Sequence, residues 1–140
     1  MSDIDEGATD GMHAAMPFTK TLDVEAITVQ PDEVRARIAW SDGVCSSGGM
    51  MHGGAIMTLA DSTGALCAFL NLPQGASGTS TIESKTNFLR AVRAGYAEAV
   101  SRPLHKGRTV VVIETDVVDA DGKLCARVTQ SQAVLRADAS

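Results

Sequence analysis

Aromatic residues are scarce in this chain: three Phe, one Tyr and one Trp among 140 residues. The core must therefore be aliphatic. Cysteine is just as thin, with Cys45, Cys67 and Cys125 forming an odd count without C-x-x-C spacing. That excludes a disulfide framework and a cysteine zinc set, and reads as reduced thiols in a cytoplasmic protein. The three histidines, His13, His52 and His105, are too dispersed to form a ligand motif, so no metal is expected. There is no basic stripe or tail, and the net charge of −5 argues against nucleic acid as a partner. The N-terminus, "MSDIDEG", is acidic where a targeting segment would be basic. The most apolar run, Ala55 to Leu72, is broken by Asp61, Gly64 and Asn71 and falls short of the roughly 20 apolar residues of a membrane span. A membrane partner is not expected.

What the chain does hold is the composition of one globular domain, with 44% hydrophobic and 21% charged residues and many small ones. The small residues point to close backbone approach or a subunit interface. Residues 1–21 read as an N-terminal segment, partly flexible or a short helix, ahead of a domain over 22–136. "AITV" and "EVRARIAW" alternate about a "QPDE" turn, with Val34, Ala36, Ile38 and Trp40 on one face and Arg35 and Arg37 on the other. After the Gly/Ser-rich "SDGVCSSGGMM" loop, Ile56, Leu59, Ala60, Thr63, Cys67 and Leu70 recur at helical spacing until Pro73 and Gly75. Four more strands follow: "STIESKTNFL", "GYAEAVSRPLH", "RTVVVIETDVVD" and "KLCARVTQSQAVL", the last two joined at Asp121-Gly122, a hairpin signal. Two strands, one long helix and four strands make an α+β layout, in which the helix could be wrapped by the concave side of a six-stranded sheet.

From Gly43 through Ile82, Asp61 is the single residue ionised in its free form at neutral pH. A surface carboxylate is the ordinary reading of a lone helical Asp. Its neighbours here are apolar or small, however, and no Lys or Arg stands three or four residues away to pair with it. Asp61 is therefore expected to face a cleft or an interface, as a candidate base or nucleophile, unless a second subunit makes it structural. At the helix start, "HGGA" offers free N–H groups of Gly53 and Gly54 at the positive end of the dipole, suited to polarising a carbonyl. Close packing in a tight turn would also account for two glycines. His52 could donate a hydrogen bond there or cap the turn. Cys45 reads as inert, and there is no G-x-S-x-G elbow for a serine hydrolase. Cations gather at the later turns: Arg90, Arg93, Arg102, Lys106 and Arg108. They read as solvated hairpins or as an anion-binding rim for a phosphorylated carrier.

"MMHGGAIMTLADSTGALC", the strand ending "NFLRAVRAG" and the "KGRTVVVIETDVVDADGKLCA" hairpin together resemble the hotdog-fold acyl-CoA thioesterases of the phenylacetic-acid-degradation type. The resemblance runs from about Leu22 to Leu135. It implies the hotdog fold, a long central helix wrapped by a six-stranded antiparallel sheet, in a homodimer with one continuous sheet, usually paired into a homotetramer, and an active site at the dimer interface. It implies Asp61 as nucleophile or general base on the thioester of an acyl-CoA, and Gly53 or Gly54 as the N–H that polarises the carbonyl. It also implies that His52 lines the pocket and that Thr81 helps place the water. Arg90, Arg108, Thr109 and, more weakly, Lys106 fall where relatives contact coenzyme A. No cofactor is implied. One position departs from the pattern: Ser46 stands where relatives commonly carry Asn or Gln, and the shorter side chain reaches the carbonyl only through a bridging water. The expectation is hydrolysis of an aryl or short- to medium-chain acyl-CoA. The alternatives are a hotdog hydratase or dehydratase using His52, an acyl-CoA-binding module without turnover, or an Asp61 with a purely structural role at an interface.

Overall fold

A computed structural model describes residues 3–137. Two short helices, α1 (Glu6–Ala15) and α2 (Pro17–Thr21), lead into the hairpin of β1 (Glu25–Gln30) and β2 (Glu33–Ala39). The long helix α3 (Gly53–Leu70) follows. Four strands complete the chain: β3 (Gly78–Phe88), β4 (Tyr96–Lys106), β5 (Val110–Asp119) and β6 (Leu124–Leu135). All pairings are antiparallel, in the order β1-β2-β4-β5-β6-β3. A long helix held against a six-stranded antiparallel sheet is the hotdog fold, as the sequence led one to expect.

Alternation decides which face packs. In β2, Val34, Ala36 and Ile38 are buried, while Arg35 and Arg37 lie on the outer face and converge on Glu98 of β4. Trp40 continues the inward row and packs against the same core as Ala36 and Ile38. It is half-buried beyond the strand end and donates its Nε1–H to Gly49 O at 3.0 Å. Against the inner face α3 presents Ile56, Leu59, Ala60, Thr63 and Cys67, all but sealed from solvent. β4 opposes it with Ala97, Ala99 and Ser101, residues small enough to let the helix come close. By length and mean hydropathy α3 could cross a membrane, yet here its apolar stripe is covered by sheet. Leu70, at its last turn, is only half-buried.

The N-terminal segment forms two short helices, and short helix was one of the two expectations for it. Asp5 caps α1 by accepting from Ala8 N, Thr9 Oγ1 accepts from Ala26 N of β1, and Met12 enters the main core. Hydrogen bonding of Thr9 to a strand amide ties α1 to the sheet, so within the described residues it belongs to the domain's own core. Met1 and Ser2 lie outside those residues. The two flanks of the sheet differ. β1 is covered by α1, whereas β3, eleven residues long, pairs only with β6 and leaves its other edge open.

Candidate active site

The start of α3 is held by a clamped loop. Gly48 and Gly49 take φ of +77° and +76°, a backbone that side chains disfavour. Arg93 Nη1 donates to Gly48 O at 2.8 Å, and Met51 N to Val92 O at 2.8 Å. His52 is the N-cap: its Nδ1 accepts from Gly54 N at 2.7 Å, which puts the ring proton of the neutral form on Nε2. Ala55 and Ile56 both donate to His52 O. Of the first four amides of the helix, that of Gly53 alone is left without a partner among the described residues. The sequence offered Gly53 and Gly54 as equals; His52 occupies one and leaves the other. Gly53 opens into a cleft of about 320 Å³ that also takes in Ser46, Phe88 and Arg90. Phe88 lies so close that a methyl group on Gly53 would stand 3.2 Å from its Cζ.

Asp61 lies eight residues further on and opens into a different cleft, of about 440 Å³, with Phe18, Met57 and Ser84. It is solvent-exposed in the single chain and makes no ion pair among the described residues. One oxygen is engaged: Oδ1 accepts from Thr81 Oγ1 at 3.2 Å and from Gln130 Nε2 at 3.4 Å. Oδ2 is free. Thr81, expected to place a water, here holds the carboxylate. His52 lines a third cleft of about 400 Å³ with Val44 and Cys45, divided from that of Asp61 by Phe18 and Thr58, which line both. The other two thiols are unreactive by setting: burial pushes Cys67 up to about 11 and raises Cys125 as well.

The expected coenzyme A contacts do not gather in one chain. Arg90 follows β3 and binds through its amide to Cys125 O, at the start of β6. Lys106, Arg108 and Thr109 sit at the β4–β5 turn, where Thr109 O accepts from Val134 N, at the end of β6. Nine strand residues separate Cys125 from Val134, roughly 30 Å. The site residues thus form two groups: Ser46, Gly53 and Arg90 share one cleft, Asp61 and Thr81 meet in another, and the β4–β5 cations lie at the far end of the sheet from Arg90. No group of three or more His, Cys, Asp or Glu able to hold a metal occurs among the described residues.

Gln130, Gln132 and Gly64 were missed by sequence reasoning. The signal was present. In the alternation of β6 the inward phase runs Val128, Gln130, Gln132, two amides where apolar residues belong.

Residues 48–126 match the sequence profile of the Thioesterase superfamily. A Saccharolobus solfataricus protein with the provisional name of esterase is 37% identical over 84% of this chain and 82% of its own. The 1,4-dihydroxy-2-naphthoyl-CoA hydrolase of Escherichia coli is 28% identical over 81% and 83% of the two chains. Among solved structures, a thioesterase of Haemophilus influenzae superposes with a TM-score of 0.80 at 26% identity, over 85% of this chain and 82% of that one.

Proposed function

The chain belongs to the thioesterase superfamily, and we propose that it hydrolyses an acyl-CoA thioester, aryl or short- to medium-chain, with Asp61 as the catalytic carboxylate. The observation that carries this reading is the setting of Asp61: one oxygen held by neutral donors, the other free and facing a cleft. The CoA hydrolase relative supports the carrier. Gly53 N–H donates to the thioester oxygen and stabilises the charge that develops on it. Either a water oxygen bonds to the acyl carbon while Oδ2 takes its proton, or Oδ2 itself attacks and water cleaves the resulting anhydride. In both, the C–S bond breaks and the sulfur leaves as the thiol.

One helix cannot supply both groups to one carbonyl. Eight residues of α3 span roughly 12 Å along its axis. An attacking oxygen, the carbonyl and its donor fit within roughly 7 to 8 Å. Gly53 and Asp61 also open into different clefts. The reacting pair therefore comes from two chains, joined through the open edge of β3. Antiparallel pairing of β3 with its copy about Ser84 sets Glu83 opposite the partner's Lys85, twice over by symmetry, and opposite charges in that relation are favourable. The same pairing brings Thr81, and so Asp61, toward the end of the strand that holds the partner's Phe88, and Phe88 lies over Gly53 of its own chain. The same assembly brings Lys106, Arg108 and Thr109 of one chain toward the half of the site that holds the partner's Arg90, as contacts for coenzyme A.

A hydratase would need His52 as a base, but its Nδ1 is committed to accepting from Gly54 N and its Nε2 carries the proton of the neutral ring. The test is thiol release from phenylacetyl-, hydroxybenzoyl-, short-chain and medium-chain acyl-CoA, wild type beside Asp61→Ala. Turnover lost in the variant is expected. A variant as fast as wild type would remove Asp61 from the reaction, and CoA-thioester binding with no turnover in the wild type would favour a binding module.

A further inference from the structure

β6 buries two primary amides on its inward face. Gln130 and Gln132 are 1% and 0% exposed, and a buried amide is costly unless its donors and acceptors are paired. Their bonds lead to Asp61. A hydroxyl has one proton to give. Gln132 Oε1 lies 3.2 Å from Thr79 Oγ1; Asp61 can only accept, so Thr81 Oγ1 spends its proton there, on Oδ1 at 3.2 Å, and takes one from Gln132 Nε2 at 2.7 Å. The one proton of Thr79 Oγ1 is shared between Gln132 Oε1 and Ala133 O, which lies 2.9 Å away.

Gln130 reaches the same carboxylate from the next inward position. Its Nε2 lies 3.4 Å from Asp61 Oδ1 and 3.5 Å from Asp61 O. Its Oε1 is buried with no partner and packs against Gly64, where a side chain would collide with it. An unpaired buried oxygen is unfavourable and calls for a reason. Turning the amide over would set that oxygen against the Asp61 carboxylate, which is worse. Gly64 thus leaves space for a donor kept on Asp61.

We propose that Gln132, acting through Thr81, and Gln130 are positioning residues that commit Oδ1 of Asp61 to hydrogen bonding and leave Oδ2 as the oxygen that reacts. This rests on the catalytic reading of Asp61. Because every donor is neutral, the carboxylate is oriented without losing its charge to a cation. Four side chains from β3 and β6 set the direction of one oxygen on α3.

The experiment measures kcat and KM on the best acyl-CoA substrate for Gln132→Leu, Thr81→Val and Thr81→Ser, and for Gln132→Leu combined with Asp61→Asn. The expected result is a fall in kcat of about tenfold or more for Gln132→Leu and Thr81→Val, with KM within about twofold, and near wild-type kcat for Thr81→Ser. On the Asp61→Asn background Gln132→Leu should cost nothing further, since the oxygen it orients is gone. Full kcat in Gln132→Leu, or the same fold loss with and without Asp61, would overturn the proposal. If Gln132→Leu does not fold, Gln132→Met fills nearly the same shape, removes the donor without adding charge and is read in the same way. Should Asp61→Asn alone retain activity, the catalytic reading fails first, and the two failures are told apart.

Discussion

Two flanks of one sheet hold their carboxylates in opposite ways. On the outer face of β2 and β4, Glu98 is 9% exposed in its side chain and lies between Arg35, at 3.2 Å, and Arg37, at 2.8 Å, with the Tyr96 ring 4.0 Å from the Arg37 guanidinium carbon. Glu33 is gripped by Arg35 and Arg102. Near the open edge, Asp61 has only a hydroxyl and an amide, both on the same oxygen. A carboxylate paired with guanidinium has its charge and lone pairs committed to structure. One that is oriented by neutral donors keeps a free basic oxygen. The difference in partners, more than in burial, separates a carboxylate that holds the fold from one available for chemistry.

Matched substitutions sharpen that contrast. Asp61→Asn should lower kcat by about 10³-fold with the melting temperature nearly unchanged, read by thiol release and thermal unfolding. Gly53→Pro comes next. Proline is tolerated at the first position of a helix, and His52 before it already has the extended φ and ψ of −61° and 133° that proline demands. The substitution removes the free N–H and also sets its ring against Phe88, whose Cζ lies 3.2 Å from a Cβ at this position, so kcat should fall by at least about 10²-fold while the helix stays intact by circular dichroism. Glu98→Gln should do the reverse of Asp61→Asn: a loss of about 2 kcal/mol in stability by denaturant titration, with turnover within about twofold.

The smallest effect is on Glu33. Burial pushes its carboxyl up, but hydrogen bonds and charge from Arg35 and Arg102 outweigh that and hold it below its ordinary 4.5. A lowered carboxylate stabilises the fold above the unfolded pKa, and that contribution is lost as pH falls through the folded value. Glu33→Gln should therefore be less stable than wild type by about 0.5 kcal/mol near neutral pH, since the group is partly exposed and screened. The gap should close as pH drops below about 4.5. A constant gap across that range would mean that the ion pairs contribute nothing.

Much of this was legible in the residues. Period two in "EVRARIAW" and helical spacing from Ile56 to Cys67 gave the elements, because each buries one face only. Asp61 stood out because local pattern could not explain it. What stayed hidden depends on non-local partners. That Gly53 rather than Gly54 keeps a free amide follows from a rotamer of His52. That Gln130 and Gln132 reach Asp61 follows from the register of β6 against β3 and from the space at Gly64, residues 66 and 68 positions from Gln130 and Gln132 respectively being of no use to a local reading. That α1 packs into the core stayed hidden because Thr9 and Met12 gain their partners only when β1 is in place.

The central claim, that Gly53 of one chain and Asp61 of the other serve the same thioester, is tested most directly with mixed dimers. Asp61→Asn and Gly53→Pro chains carrying different affinity tags are co-expressed, and dimers bearing both tags are purified and assayed. If the site is shared, one of the two active sites in each mixed dimer holds both intact groups, and activity returns to about half that of the wild type. If mixed dimers are no more active than either parent, the two groups do not meet across the interface and the account is wrong.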